Sequence, residues 1–251
     1  MVQRLLCSSG EALLWGEPYA EAQIIQSLTN SARILLKQGG WPKPFFPTRN
    51  LPEDQHSMFF DHLGSRWIAN LYPDPSALRD SYRVMLDRLF RQPAEELGFK
   101  RFGMKVVRLQ IEHAFFLKWL YPDARFVFLI RDPWRCWSSY RGCRWVYAWP
   151  NLYIDKPAAF GKIWQRNTNN FLKWEEPSLM IIRYEELLQN PQKIEELRVH
   201  CELDEIDTAV LQRRLRGIDP PLGPMTKKEA SVISSVCGDL AQNLGYTAPL
   251  L

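Results

Sequence analysis

The chain has 251 residues, 46% of them hydrophobic, enough to bury a full α/β core as one domain or as one domain with a small subdomain. Its net charge of +4 comes from basic and acidic residues interspersed along the sequence, without the concentrated basic stripe that nucleic-acid binding needs. Five cysteines, an odd number with no CxxC pair, argue against a zinc site or a disulfide framework and point to a reducing cytoplasm. No apolar stretch approaches the length of a membrane span, and the first residues lack the h-region of a signal peptide.

Val2-Gln3-Arg4-Leu5-Leu6-Cys7 reads as a helix entered at its middle, with no N-cap ahead of it, which predicts an N-terminally incomplete domain. Ser8-Ser9-Gly10 is a turn, and Ala12–Trp15 is a short strand that runs into Gly16-Glu17-Pro18-Tyr19. Ile24–Lys37 has helical spacing. Trp41–Pro52, with four prolines and three aromatics, is a loop of the length often used for binding or as a lid. Ser81–Arg91 is amphipathic, with Pro93 as its expected end.

Phe102–Val107 is predicted as a second strand with Lys105 inside it, followed by a helix over Leu109–Leu120. The uninterrupted apolar run Phe126–Ile130 reads as a strand buried on both faces. Asp132 then offers an N-cap oxygen and Pro133 suits the first helical position. This strand-to-helix break gathers the Arg131 guanidinium and free backbone N–H groups at one place, a site for an anion such as phosphate.

Beyond it come a helix over Ala158–Trp174, a strand over Leu179–Ile182, and Arg183-Tyr184-Glu185-Glu186, with Pro191 opening the next helix. Thr226-Lys227-Lys228-Glu229 is a capping box for the last helix, and Gly245 is its stop. Strands separated by helices predict a parallel sheet flanked by helices. Its ligand should lie beyond the C-terminal strand ends, near Arg131, Glu17 and Arg183.

Lys105, Phe126–Ile130 with Arg131-Asp132-Pro133 and Ser139, the run Arg183–Leu188, and Cys237-Gly238-Asp239-Leu240 with Leu244-Gly245-Tyr246 together resemble the sulfotransferases. The similarity runs in order from Leu5 to Tyr246 and looks closest to the bacterial branch with a Gly-Glu-Pro motif. The resemblance implies a P-loop NTPase-like α/β fold, here a single sulfotransferase-like domain over residues 1–251. It implies transfer of a sulfuryl group from 3′-phosphoadenosine 5′-phosphosulfate to a hydroxyl or amine, without a metal. The acceptor could be a small molecule, a saccharide or a lipid.

Residue by residue, the resemblance assigns the donor's 3′-phosphate to Arg131 and to Ser139, eight positions later. A guanidinium grips a phosphate through two charge-assisted bonds and the hydroxyl adds a neutral donor. The plainer alternative pairs Arg131 with Asp132 or with a neighbouring carbonyl. Tyr184 is implied near the donor nucleotide, or else packs at a strand end; Arg183 adds to the phosphate field or pairs with Glu185.

Glu17 is the implied base for the acceptor proton, with His56 or His62 as rivals, or else a loop hydrogen-bonder. Lys105 either steadies charge on the transferring group or is a solvated strand-edge lysine, while His113 and His200 read as structural. Trp41, Phe45, Phe46, Trp67, Trp145, Tyr147, Trp149 and Tyr153 could line an acceptor pocket or pack a small subdomain.

One hallmark departs from the pattern. The family's 5′-phosphosulfate loop links a first strand to a first helix, and Val2–Leu6 resembles the helix just after that loop; Ser8-Ser9-Gly10 follows the helix and is no substitute. Both strand and loop are therefore expected ahead of Met1, leaving an exposed sheet edge where the strand belongs. A catalytically inactive nucleotide-binding remnant or scaffold of the same fold is the rival reading. A small-molecule kinase ranks last, because nothing at Arg131–Ser139 resembles its metal-holding acids.

Overall fold

A computed structural model describes residues 1–17, 23–32, 75–107, 109–141, 148–149, 152–212 and 225–249. In chain order these form α1 (Val2–Cys7), β1 (Ala12–Gly16), α2 (Ile24–Ala32), α3 (Pro75–Leu86), a π-helical turn (Asp87–Arg91) and α4 (Gln92–Glu96). Next come β2 (Arg101–Lys105), α5 (Ile111–Leu120), β3 (Phe126–Ile130), α6 (Pro133–Tyr140), the short β4 (Ala148–Trp149) and β5 (Leu152–Tyr153), and α7 (Pro157–Leu172). The described elements end with β6 (Leu179–Arg183), α8 (Tyr184–Gln189), α9 (Pro191–His200), a 3₁₀ turn (Thr208–Leu211) and α10 (Lys227–Asn243).

The architecture is mixed α/β, with parallel strands flanked by helices, as the sequence predicts. β1 pairs parallel with β2 from Ala12↔Arg101 to Gly16↔Lys105, and β3 pairs parallel with β6 from Phe126↔Leu179 to Ile130↔Arg183. β4 and β5 form a small antiparallel hairpin. Among the described residues β2 and β3 share no ladder, so the parallel strands fall into two half-sheets of two strands each.

Side-chain alternation puts β1, β3 and β6 between two apolar layers. Leu14, Val127, Leu129 and Met180 pack with Leu5 and Leu6 of α1, Leu187 of α8 and Leu197 of α9 in one cluster, which draws from both half-sheets. Phe128 and Ile130 face the other way, onto Trp134 and Trp137 of α6 and Ile233 and Cys237 of α10. Beside β1 and β2, Trp15, Phe102 and Met104 pack on Ile25, Leu86 and Phe116. Gly161 of α7 meets Val236 of α10 so closely that an added Cβ would sit 3.1 Å from that side chain.

Several boundaries differ from expectation. Pro93 does not end the helix over Ser81–Arg91: the π turn intervenes and α4 carries Pro93 in its first turn. The wider turn relieves the backbone where proline offers no N–H. The true stop is Gly98, at φ +87, where glycine has no Cβ penalty. Lys105 is the last residue of β2 and not an interior one. β3 is only half-buried along most of its length, because one edge opens on the gap between the half-sheets.

Candidate functional site

The β3–α6 junction forms as its residues dictate. Asp132 caps α6 by accepting from the Arg135 amide at 2.9 Å, and Pro133 fills the first turn. The other Asp132 oxygen faces Arg135 at 3.8 Å, and no ion pair joins Asp132 to Arg131 among the described residues. The Arg131 guanidinium instead lies over the Tyr184 ring, 4.7 Å from its centroid. Its Nε is buried with no hydrogen-bond partner among the described residues. The Arg131 carbonyl accepts from the Trp164 indole at 3.0 Å, which fixes the backbone from α7.

A network the sequence did not reveal braces this junction. Glu185 accepts from the Asp132 amide at 3.3 Å and from the Tyr246 hydroxyl at 3.2 Å, joining α8, the start of α6 and the C-terminal segment. Burial and the Glu185 carboxylate hold the Tyr246 hydroxyl pKa far above its ordinary value, so it remains a donor. Arg183 does not pair with Glu185. It donates to the Leu244 carbonyl at 2.8 Å and to Glu186 at 2.7 Å, the latter holding its pKa up. The reason is helical: α8 starts at Tyr184, which turns position 186 back toward its N-cap and position 185 away.

Beneath the same junction lies Cys136. Burial pushes its thiol up to about 12, against the opposing pull of the Arg131 charge. Ser139 is exposed on α6, one turn beyond Arg135 and Cys136 on the same stripe. The structure thus joins Arg131 to Tyr184, and carries Ser139 further along the helix that the Arg131 junction starts.

Across the gap, Glu17 and Lys105 meet at the C-terminal ends of β1 and β2. The Glu17 amide donates to the Lys105 carbonyl at 2.7 Å, and the Lys105 ammonium donates to the Glu17 carboxylate. Lys105 is therefore neither buried nor solvated alone; its side chain is 42% exposed and that of Glu17 25%. Glu17 adopts φ +45, a left-handed conformation unusual for a residue with a Cβ, as the chain leaves the strand. Lys105 and Arg131 both line one cavity of about 1190 Å³ between the half-sheets.

The family model described as the sulfotransferase family matches residues 1–207, which include all five of these residues. The chain belongs to the sulfotransferase family. Neither the curated proteins nor the solved structures gave a match. Membership supports sulfuryl transfer as the general activity and a parallel α/β fold as its scaffold.

The two described histidines, His113 and His200, behave as structural groups. His113 is buried at the start of α5, its Nδ1 accepting from the Gln110 amide at 2.8 Å, and burial lowers its pKa. His200 donates from Nε2 to the Phe126 carbonyl at 3.0 Å. His56, His62, Trp41, Phe45, Phe46, Trp67, Trp145 and Tyr147 lie outside the described residues, and Trp149 and Tyr153 sit in the β4–β5 hairpin. No helix among the described residues is long and apolar enough to cross a membrane.

Proposed function

We propose that the protein moves a sulfuryl group from 3′-phosphoadenosine 5′-phosphosulfate to a hydroxyl or amine of a small-molecule, saccharide or lipid acceptor, in the cytoplasm, through one domain over residues 1–251. Arg131 and Ser139 hold the donor's 3′-phosphate, Tyr184 steadies Arg131 beside the nucleotide, Lys105 stabilises the transferring group, and Glu17 takes the acceptor proton. The observation that carries this reading is the state of Arg131. Its guanidinium is held over an aromatic ring while its buried Nε has no acceptor among the described residues. A buried charged donor left unpaired is costly, and an incoming phosphate oxygen would relieve it.

A second reading rests on the Lys105–Glu17 ion pair. These two groups occupy each other, which suits a protein that binds the nucleotide without turning it over. Calorimetry with adenosine 3′,5′-bisphosphate on the native protein and on Arg131→Ala tests the shared element. Loss of a charge-assisted phosphate contact of about 1.5–3 kcal/mol weakens binding roughly 10- to 150-fold. Equal affinities would remove Arg131 from the site. Release of the bisphosphate from the sulfuryl donor, in the presence of a panel of phenol, amine and saccharide acceptors, separates the two readings.

A further inference from the structure

The amides at the start of α6 are largely spent inside the protein. Pro133 has none to offer, and Glu185 takes the Asp132 amide at 3.3 Å. The Asp132 carboxylate takes the Arg135 amide at 2.9 Å, and the Asp132 carbonyl takes that of Cys136 at 2.9 Å. Two carboxylates, Asp132 and Glu185, therefore sit at the turn where the helix end is positive. Arg131 alone does not balance them. An anion drawn to Arg131 is turned away from the helix end and onto the flank of α6, where the opposing charge has to come from side chains.

The tryptophans decide which flank. Trp134 and Trp137 are buried against α10, their indoles donating to the Ala230 carbonyl at 3.3 Å and to Glu229 at 3.1 Å. That inward stripe turns positions 135 and 139 outward, and both are exposed. They lie four residues apart on one face, about 6 Å along the axis. The Arg131 charge pulls against burial at the Cys136 thiol, which places its guanidinium beside the same turn of α6. The Arg135 side chain is 74% exposed, and its ion pair with Asp132 spans 3.8 Å, too long for a hydrogen bond. An exposed pair of that kind holds a guanidinium loosely.

We propose that Arg135 is a further ligand of the donor's 3′-phosphate, closing over it from between Arg131 and Ser139 and setting the preference for a nucleotide that carries this group. The assignment rests on the reading that Arg131 and Ser139 hold that phosphate. A group in reach of Arg131 at the strand end and of Ser139, one turn beyond Arg135, lies over position 135. Swung from Asp132 onto the phosphate, Arg135 supplies a second bidentate, charge-assisted grip. Two guanidiniums then face a group of about −1.5 to −2 charge at neutral pH. Asp132 goes on capping α6 through its other oxygen, so the helix start is undisturbed.

The test is calorimetry with adenosine 3′,5′-bisphosphate and with adenosine 5′-phosphate, which lacks the 3′-phosphate. Native protein is compared with Arg135→Ala, Arg135→Lys, Arg131→Ala and Ser139→Ala. Because Arg135 is exposed, Arg135→Ala should melt within about 2 °C of the native protein. It should bind the bisphosphate about tenfold more weakly and adenosine 5′-phosphate as tightly as the native protein does. Arg135→Lys, which keeps the charge without the planar fork, should fall between the two. An equal loss for both nucleotides would overturn the assignment, because a merely structural residue does not discriminate between them. If Arg131→Ala and Ser139→Ala weaken the bisphosphate while Arg135→Ala does not, the role of Arg135 alone falls. If none of the three changes that affinity, the phosphate lies elsewhere and the reading beneath the assignment falls with it.

Discussion

Lys105 and Glu17 hold each other twice, once through the backbone where the Glu17 amide donates to the Lys105 carbonyl at 2.7 Å, and once through their side chains. The double link fixes a carboxylate and an ammonium at the C-terminal ends of two adjacent strands, where ligands of parallel sheets bind. Because both side chains reach solvent, the ion pair itself contributes little to stability, at most about 1 kcal/mol. Glu17→Gln should therefore leave the melting temperature nearly unchanged. If Glu17 is the base, sulfuryl transfer falls by roughly 10²- to 10⁴-fold while affinity for adenosine 3′,5′-bisphosphate stays the same. A loss of nucleotide affinity equal to the loss of turnover would show that Glu17 holds the site together and moves no proton.

Arg131 and Tyr184 divide their roles differently. The ring face, and not the phenol oxygen, is what meets the guanidinium. Tyr184→Phe should keep bisphosphate affinity within about twofold, whereas Tyr184→Ala forfeits a cation–π contact of about 0.5–2 kcal/mol and releases Arg131. Arg131→Lys retains charge without the planar fork and should behave nearer to the alanine variant than to the native protein. Calorimetric titration of the four proteins gives the ranking directly. A Tyr184→Phe variant as weak as Tyr184→Ala would show that the hydroxyl, not the ring, makes the contact.

The β3–α6 junction was legible because independent local signals agree there: an apolar run, a capping aspartate and a proline at a position that needs no amide. All three form as read, down to the Arg135 amide on Asp132. The Thr226 capping box and the Gly245 stop, at φ +79, form for the same reason. Pro93 misled because the π turn that accommodates it has no composition of its own. The partner of Arg183 depended on where α8 begins, an offset of one residue that periodicity does not fix. The Glu185–Tyr246 bond joins residues 61 positions apart, and nothing in either segment announces the other. The registers of the two parallel strand pairs, and the helices that flank them, come only from three dimensions.

Glu229 should set the acid limit of the fold. Burial raises its pKa, but hydrogen bonds from Thr226 and Trp137 and the charge of Arg141 outweigh that and hold the carboxyl at about 2. It accepts from the Thr226 amide at 2.9 Å, the Trp137 indole at 3.1 Å and Arg141 at 2.9 Å, tying the start of α10 to the end of α6. A carboxyl depressed in the folded state stabilises above its unfolded pKa, and that stability disappears as pH falls through the folded one. The window here runs from about pH 4.5 down to about pH 2. Allowing for partial solvent screening, Glu229→Gln should cost about 1–2 kcal/mol at pH 7 and almost nothing at pH 2. Urea titrations across that range would expose the convergence; a constant difference would mean that the variant loses packing and not charge.

At the alkaline end the controlling groups are tyrosines. Tyr246 is buried and donates to Glu185, and Tyr121 donates to Asp87 at 2.8 Å; burial and the adjacent carboxylate raise both hydroxyls well above the usual value. Above the unfolded pKa near 10 the unfolded chain releases these protons while the folded chain keeps them, so stability falls as pH rises. Absorbance titration at 295 nm should leave these two phenols un-ionised until the protein unfolds, and unfolding should coincide with their release. Tyr246→Phe removes one of them and leaves a Glu185 oxygen unpaired, costing about 1 kcal/mol at pH 7. That deficit should shrink above pH 10, because the variant no longer has to hold a proton there. Smooth ionisation of all nine tyrosines in the still-folded native protein would show that the Glu185 bridge does not lock the β3–α6 junction.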